Sequence, residues 1–359
     1  MPRARDLGIV IGDLPTGSTN SPLDVAGVGI GHATIHRDEA PPPEGRGIAR
    51  TGVTCLVLAE DVFRRPVPAG GAVLNGAGEC TGFLTAAEWG AAETPVYLTS
   101  TLQLGRVYDS ACRIAMEVEP EVATEVVIPV VGECDDSFLN DNRRMQVEHE
   151  DVVAAWQAAM ASRGSATPPA EGAVGSGTGM SCFDFKGGIG TASRVTPAGH
   201  TVGVLLMTNF GVREECVVGG VPVGRILGPV DSGPHAPPGS CIGLVVTDAP
   251  VDGATCARLA RRVGLGLARA GSVAHHGSGE IFMAFGTGMR LDRDGRPDGT
   301  TLVAGRNLDP LFAAVVEASE EAVLNSMFTA PTTVGREGNT SWSIDVPEVR
   351  EVLQRWSRQ

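Results

Sequence analysis

Ser240 follows the proline-rich stretch PHAPPG and directly precedes the apolar run CIGLVVT at residues 241–247. If the chain were cut before Ser240, this residue would carry both a hydroxyl nucleophile and a free α-amine, whose ordinary pKa of about 7.7–8.0 suits a base near neutral pH. The hydroxyl could make the cut itself, because attack on the Gly239 carbonyl gives an ester that water hydrolyses. Glycine leaves that carbonyl sterically open and tolerates backbone strain. A Pro-Gly-Ser turn before a strand is also ordinary turn chemistry.

Ser278 and Glu280 lie in HHGSGEIFMAF, where a glycine-rich turn enters an apolar strand. Residues two apart share a face of an extended chain, so the two side chains are predicted to lie together. A carboxylate that orients a hydroxyl can relay a proton near a nucleophile, although a solvated strand end would have the same sequence. The adjacent His275 and His276 face opposite ways in an extended chain and are interpreted as surface or loop histidines.

Asn209 ends the apolar run VGVLLMT, in the segment MTNFG. An amide donor at the end of a strand can stabilise an oxyanion, whereas Asn-x-Gly is also common in turns. Both readings stay open on this segment alone.

Carboxylates cluster in VVGECDDSFLNDN, residues 130–142, after another apolar run. Glu133, Asp135, Asp136 and Asp141 could bind a cation or a substrate ammonium group, or serve as turn residues and helix caps. Their spacing does not match an EF-hand loop, so calcium is not predicted.

Lys186 is the only lysine, and it lies in the glycine-rich segment GSGTGMSCFDFKGGIGTASR at residues 175–194. This segment has neither GxxxxGK[ST] nor GxGxxG after a strand, so phosphate binding is not predicted. A compact ammonium cannot be exchanged for a planar guanidinium, which indicates either a specific need for lysine or chance.

Short apolar runs and helical periodicities alternate along the chain and must position these residues. The runs predict strands at 54–60, 96–100, 125–131, 202–208, 241–247 and 281–285. Helices are predicted at 103–117, 148–162, 252–269 with Asp252 as N-cap, 310–326 capped by Asp309, and around VPEVREVLQRWS at the C-terminus. Residues 161–177 and 228–239 are predicted to be loops. Separate blocks of helices and strands favour a layered αβ architecture.

Composition excludes several classes of protein. The 359 residues are 42% hydrophobic, enough for a sizeable core, and carry a net charge of -14, which opposes binding to nucleic acid or anionic membranes. We find no signal peptide and no stretch of about 20 apolar residues, so a cytoplasmic location is predicted. The eight cysteines are spread singly without zinc-ligand spacing and are predicted to be reduced, mostly buried thiols.

Together, six segments in order resemble the self-processing aminopeptidases that include the L-aminopeptidase/D-Ala-esterases and the β-peptidyl aminopeptidases. They are the opening RARDLGIVIGDLPTGSTN, the VVGE and FLND block, GSGTGM with FDFKGGIGTASR, LLMTNFG, PPGS before a strand and TDAP, and SGEIFMAFGTG. The resemblance covers nearly the whole chain. It implies autocatalytic cleavage between Gly239 and Ser240 into subunits of residues 1–239 and 240–359 that stay associated in one domain.

The resemblance also implies a role for each candidate residue. Ser240 would be the N-terminal nucleophile, Ser278 and Glu280 would complete a hydrogen-bonded catalytic group, and Asn209 would donate to the oxyanion. Glu133 would pair with the free amino group of the substrate. The family often has an aromatic hydroxyl shortly after this glutamate, and here residues 135–138 read DDSF instead.

The fold implied is an α+β, four-layer αββα sandwich, layered like the N-terminal-nucleophile hydrolases but with different connectivity. The substrate implied is a small peptide, amide or ester with a free amino group, and the assembly implied is a homo-oligomer, often a tetramer of processed pairs. No metal or other cofactor is implied. Two alternatives remain: an acyltransferase related to ornithine acetyltransferases, which use threonine where this chain has serine, and an uncleaved, non-catalytic binding protein.

Overall fold

The computed structural model describes residues 1–228 and 239–356. Its strands are β1 (Gly29–Asp38), β2 (Ile48–Val57), β3 (Val67–Gly76), β4 (Cys80–Thr81), β5 (Ala91–Ala92), β6 (Val96–Ser100), β7 (Val130–Cys134), β8 (Ser181–Cys182), β9 (Phe185–Lys186), β10 (Gly188–Val195), β11 (Thr201–Thr208), β12 (Cys241–Thr247), β13 (Gly279–Gly286), β14 (Thr333–Val334) and β15 (Thr340–Ser341). Its α-helices are α1 (Phe83–Trp89), α2 (Leu104–Val118), α3 (His149–Ser162), α4 (Val223–Leu227), α5 (Gly253–Arg269), α6 (Asp309–Phe328) and α7 (Pro347–Trp356).

Two large mixed sheets form the centre of the molecule. The first has the strand order β1-β2-β6-β7-β4, and the second has the order β10-β11-β12-β13-β3-β5. Strands β6 and β7 pair in parallel in the first sheet, as do β12 and β13 in the second. The connection between β12 and β13 runs through α5, as a parallel pair requires a crossover.

The two sheets pack face to face. Their strands carry apolar side chains on both faces, so one face of each sheet can pack against the other sheet. In β12, Ile242, Leu244 and Val246 lie in a buried cluster shared with Leu98 and Val130 of the first sheet. Cys241 and Val245 of β12 lie in a second cluster formed with α5 and α6. A strand buried on both faces reads as a continuous apolar run, which is why CIGLVVT shows no polar alternation.

Helices cover the outer faces of both sheets. Helices α2 and α3 contribute to an apolar cluster with β1, β2, β6 and β7 on the first sheet, and α5 and α6 cover the second. The order is therefore helix, sheet, sheet, helix, which confirms the four-layer αββα sandwich. No helix within the described residues is long and apolar enough to cross a membrane.

The predicted elements agree with the structure where periodicity was strong. Strands β6 and β12 have the predicted bounds, and α2, α3, α5 and α7 lie where helices were predicted. The Asp252 side chain caps α5 by accepting a hydrogen bond from Thr255 N at 2.8 Å. All eight cysteines are free, and all except Cys112 are buried.

Some predicted boundaries were wrong. Residues 125–129 were predicted to be in a strand but lie outside it, because β7 begins at Val130 and runs to Cys134. Strand β2 covers 48–57 instead of 54–60, since its pairing with β1 continues through a less apolar segment. Asp309 is the first residue of α6 and not its cap, which is Leu308 without a side-chain hydrogen bond. Most of the predicted loop at 228–239 lies outside the described residues, and residues 175–177 of the other loop form a 3₁₀ turn.

Candidate active site

Three strand ends of the second sheet meet at one edge. Parallel pairing of β12 and β13 places Cys241 opposite Glu280, so Ser240 and Gly279, the residues directly before this pair, are neighbours. Antiparallel pairing of β11 with β12 places Thr208 opposite Cys241, which brings the residue after β11 to the same edge. Ser240, Gly279 and Asn209 therefore lie together because of the strand order.

Ser240 is held at this edge by its main chain and its side chain. Its carbonyl accepts a hydrogen bond from Asn209 N at 3.0 Å, and its hydroxyl oxygen accepts one from Gly279 N at 3.1 Å. The side chain is buried. The hydroxyl is therefore fixed against the turn that connects Ser278 to Glu280.

Ser278 and Glu280 form a buried pair, as the sequence predicted. The Ser278 hydroxyl donates to Oε1 of Glu280, whereas Oε2 is buried and has no hydrogen-bond partner among the residues that the structure describes. Burial raises the pKa of the Glu280 carboxyl, and the hydrogen bond from Ser278 opposes this by favouring the charged form. A buried acceptor without a partner indicates a place for a further donor, such as an amine.

The carboxamide of Asn209 is oriented by two main-chain groups. Its Oδ1 accepts from Ser181 N at 2.9 Å, and its Nδ2 donates to the Asp135 carbonyl at 2.8 Å. A Cβ added to Gly239 would lie 2.3 Å from Nδ2 and 2.5 Å from the Asn209 carbonyl oxygen. The residue before Ser240 must therefore be glycine for the backbone to lie this close to the amide.

Glu133 lies at the end of β7 in the first sheet and is only 3% exposed. Its Oε1 accepts from Glu79 N at 2.7 Å, and its Oε2 accepts from the Thr101 hydroxyl. Burial raises the pKa of Glu133, while these two donors oppose that effect. The carboxylate is thus held in one orientation and has little solvent to balance its charge.

Thr101 was not singled out from the sequence. It follows β6, which pairs in parallel with β7, so Thr101 and Glu133 lie at the same edge of the sheet. A hydroxyl after one strand and a carboxylate at the end of its parallel neighbour could have been found once the pairing was known.

Gly78 connects Glu133 to the edge that carries Ser240. A Cβ on Gly78 would lie 3.2 Å from Glu133 Oε1 and 3.5 Å from Gly279 Cα. Because Gly279 N contacts the Ser240 hydroxyl, all five predicted site side chains are brought to one region where the two sheets meet. The absence of a side chain at Gly78 leaves space beside the carboxylate.

The other acidic residues of segment 130–142 make local hydrogen bonds and an ion pair instead. Asp136 is buried and accepts from Asn140 and Asn142, and burial raises its pKa to about 7. Asp141 pairs with Arg143 at 2.6 Å. Asp135 is exposed and holds Ser137 N at 2.9 Å. Among the described residues, no group of three or more His, Cys, Asp and Glu side chains could hold a metal ion.

The two histidines that precede Ser278 differ. His275 is half-buried and its Nε2 lies 2.9 Å from Glu215 Oε1, whereas His276 is exposed. The interpretation as loop histidines is therefore correct for both, and His275 also ties the Ser278 turn to the segment that follows Asn209.

Comparisons with known proteins agree with one another. The model of peptidase family S58 matches residues 20–341. The chain is 36% identical over 376 residues to the β-peptidyl aminopeptidase BapA of Sphingosinicella microcystinivorans, covering 99% of this chain and 93% of that protein. Among solved structures, a β-aminopeptidase from Burkholderia sp. has a TM-score of 0.87 at 37% identity, covering 99% of both chains. The L-aminopeptidase D-Ala-esterase/amidase of Ochrobactrum anthropi, described as a prototype of the serine aminopeptidases and a variant of the Ntn hydrolase fold, has a TM-score of 0.89 at 34% identity, covering 100% of this chain and 99% of that one.

Proposed function

The chain belongs to peptidase family S58 and is a serine aminopeptidase, and we propose that it matures by cutting its own Gly239–Ser240 bond. The single observation that supports this most is the position of Ser240. Its hydroxyl accepts from the N–H of Gly279, the residue between the hydrogen-bonded Ser278 and Glu280, and Ser240 directly follows a glycine that lies close to the Asn209 amide.

In the proposed cleavage, the Ser240 hydroxyl oxygen attacks the Gly239 carbonyl carbon. The C–N bond breaks, the hydroxyl proton passes to the nitrogen, and the product is an ester with a free α-amine on Ser240. Water then hydrolyses the ester and leaves a carboxylate on Gly239. The carboxylate of Glu280, acting through the Ser278 hydroxyl, is suited to take and return the proton, since burial raises its pKa and makes it a stronger base than an exposed carboxylate.

Asn209 is proposed to stabilise the oxyanion in both maturation and turnover. Its Nδ2 has two hydrogens, of which one is directed to the Asp135 carbonyl. The close approach of Gly239 to Nδ2 supports a role for the second hydrogen at the carbonyl oxygen that becomes negative.

During turnover, the freed Ser240 hydroxyl would attack the substrate carbonyl and form an acyl-enzyme, with its own α-amine as base. The Oε2 of Glu280 supports this, because it has no partner within the described part of the chain and the α-amine freed before Cys241, which pairs with Glu280, could donate to it. Glu133 would bind the free ammonium group of the substrate. Among residues 1–228 and 239–356 no cation pairs with its buried carboxylate, and opposite charge in a poorly hydrated site is strongly attractive.

The proposed substrates are small peptides, amides or esters with a free amino group. Residues 135–138 read DDSF and lack the aromatic hydroxyl that the family often has after this glutamate. Thr101 supplies a different hydroxyl next to Glu133. A homo-oligomer of processed pairs and a cytoplasmic location remain predictions from the sequence.

Two alternatives make different predictions. An acyltransferase would speed up acyl turnover when an amino-acid acceptor is added, and an uncleaved binding protein would stay a single chain. The test is to follow Ser240→Ala beside the wild-type chain. We expect neither cleavage nor hydrolysis of an aminoacyl p-nitroanilide from the variant, and a cleaved, active alanine variant would contradict the proposal.

A further inference from the structure

Lys186, the only lysine in the chain, is completely buried. An ammonium group has three N–H donors, and those of Lys186 reach the carbonyls of Gly177 at 3.1 Å, Met180 at 2.6 Å and Gly187 at 2.8 Å. Burial lowers the pKa of Lys186 to about 7, while three carbonyl acceptors favour the charged form. Lysine is seldom buried this fully. The buried ammonium therefore indicates that this side chain stabilises the surrounding main chain in a way that other residues cannot.

Lys186 closes the base of a strained hairpin formed by β8 and β9. The two turn residues, Phe183 and Asp184, have φ values of 51° and 58°, which are left-handed conformations that are strained for non-glycine residues. Ser181 pairs with Lys186 across the hairpin. The Met180 carbonyl accepts from both Gly187 N and Lys186 Nζ. The ammonium therefore fixes the residue directly before Ser181.

The hairpin lies along the segment that contains Asn209. Phe183 N donates to the Phe210 carbonyl at 2.8 Å, and the two rings make an edge contact with centroids 5.1 Å apart. The Asp184 carboxylate accepts from Arg213 N at 2.9 Å. These contacts fix the main chain that follows Asn209 but do not orient its carboxamide.

Ser181 alone among these hairpin residues contacts the Asn209 side chain. Its N–H donates to Oδ1 at 2.9 Å, so the nitrogen of the amide must point the opposite way, toward the Asp135 carbonyl and Gly239. If Ser181 moved, a carboxamide rotated by 180° would present oxygen, and not N–H, to the reacting carbonyl.

We propose that Lys186 is a positioning residue for the oxyanion donor: it holds residues 177–181 so that Ser181 N–H fixes the Asn209 amide with Nδ2 toward the Gly239 carbonyl. This rests on the role proposed above for Asn209. Loss of the ammonium would then slow maturation and turnover through Asn209, without weakening recognition of the substrate amine by Glu133.

The test is a double-mutant cycle between Lys186→Met and Asn209→Ala. Met preserves most of the side-chain volume and removes the three donors. The cycle separates positioning from general loss of stability, because residues that act through one another have non-additive effects. Self-cleavage rate, kcat and KM are measured for the wild type, both single variants and the double variant, with an aminoacyl p-nitroanilide as substrate.

Arg50→Met is the matched control. Arg50 is a second buried cation, and its guanidinium bonds to the carbonyls of Arg37, Ala49 and Val334 as well as to Asp38. It shares with Lys186 the binding of three carbonyls but not the link through Ser181. Arg50→Met should lower stability while its effect on kcat stays independent of Asn209.

We expect Lys186→Met to lower kcat and the self-cleavage rate at least tenfold, with KM changed less than twofold. In the Asn209→Ala background, the same change should lower them less than threefold further. Equal factors in both backgrounds, or a rise in KM without a fall in kcat, would overturn the proposal.

Two further outcomes are a Lys186→Met variant that does not fold and a wild type that is inactive. If Lys186→Met does not fold, Lys186→Gln replaces it in the cycle, and its two amide donors should give a smaller but still non-additive loss. If the wild type neither cleaves itself nor hydrolyses the substrate, the proposed function has failed instead. An active wild type with an additive cycle refutes only the role of Lys186.

Discussion

Replacing Glu133 with glutamine tests how the site selects substrates with a free amine. The change keeps the shape of the side chain but removes its charge, and one amide oxygen must now satisfy donors that Thr101 and Glu79 N supply to two carboxylate oxygens. Loss of one partner from a buried, hydrogen-bonded charge pair costs about 2–5 kcal/mol. At 1.4 kcal/mol per factor of ten, kcat/KM should fall about 30- to 4,000-fold.

The assay compares two reactions of the same protein. Hydrolysis of an aminoacyl p-nitroanilide needs recognition of an ammonium group, whereas cleavage at Gly239 involves no free substrate amine. Glu133→Gln should therefore mature within about threefold of the wild-type rate and lose turnover. Asp135→Asn is the control, because this carboxylate is exposed and a screened surface charge contributes about 0–1 kcal/mol, or less than about sixfold.

Two results would refute the reasoning about Glu133. If Glu133→Gln blocks maturation as strongly as turnover, the carboxylate is needed for the fold of the site and not for the amine. If Asp135→Asn lowers kcat/KM as much as Glu133→Gln does, the site attracts the substrate through its overall negative charge and not through Glu133 itself. The wild-type kcat/KM should also fall as the pH drops through the raised pKa of Glu133, because only the ionised carboxylate attracts an ammonium group.

Three further changes test other parts of the site. Gly239→Ala should slow self-cleavage at least tenfold, because its Cβ would lie 2.3 Å from Asn209 Nδ2. The control is Gly105→Ala, whose Cβ would have nothing within 4 Å and which should mature normally, as followed on a denaturing gel. Glu280→Gln should slow self-cleavage and abolish its decline at acid pH, since that decline follows protonation of a carboxylate whose pKa is raised by burial; an unchanged pH profile would contradict this. Gly78→Val should raise KM without slowing maturation, because its side chain fills the space beside Glu133 Oε1; equal KM values would show that this space is not used.

The sequence indicated which candidate side chains lie near one another better than it indicated how they are held. Ser240, Ser278 and Asn209 stand next to long apolar runs, so their strand-end positions could be read directly, and spacing of two residues put Ser278 beside Glu280. The closeness of Glu133 to Gly279 depends on the packing of one sheet against the other. No local pattern reveals that contact.

Lys186 and Thr101 show the same limit. The composition marked Lys186 as unusual, but its three acceptors come from a turn and a hairpin whose left-handed residues are not glycine, so turn patterns could not place them. Thr101 is an ordinary residue after a strand until the parallel pairing of β6 and β7 is known. Strand β7 itself was displaced in the prediction because the apolar run EVVIPVV begins before the strand does.

Denaturing intact mass measurement on freshly purified protein, repeated after incubation near pH 8, tests the central claim most directly. The wild-type chain should give two polypeptides that meet at Gly239 and Ser240, and Ser240→Ala should give one chain of 359 residues. A wild-type protein that stays intact while it hydrolyses an aminoacyl p-nitroanilide would contradict the account, because the proposed nucleophile would then never have gained its free α-amine.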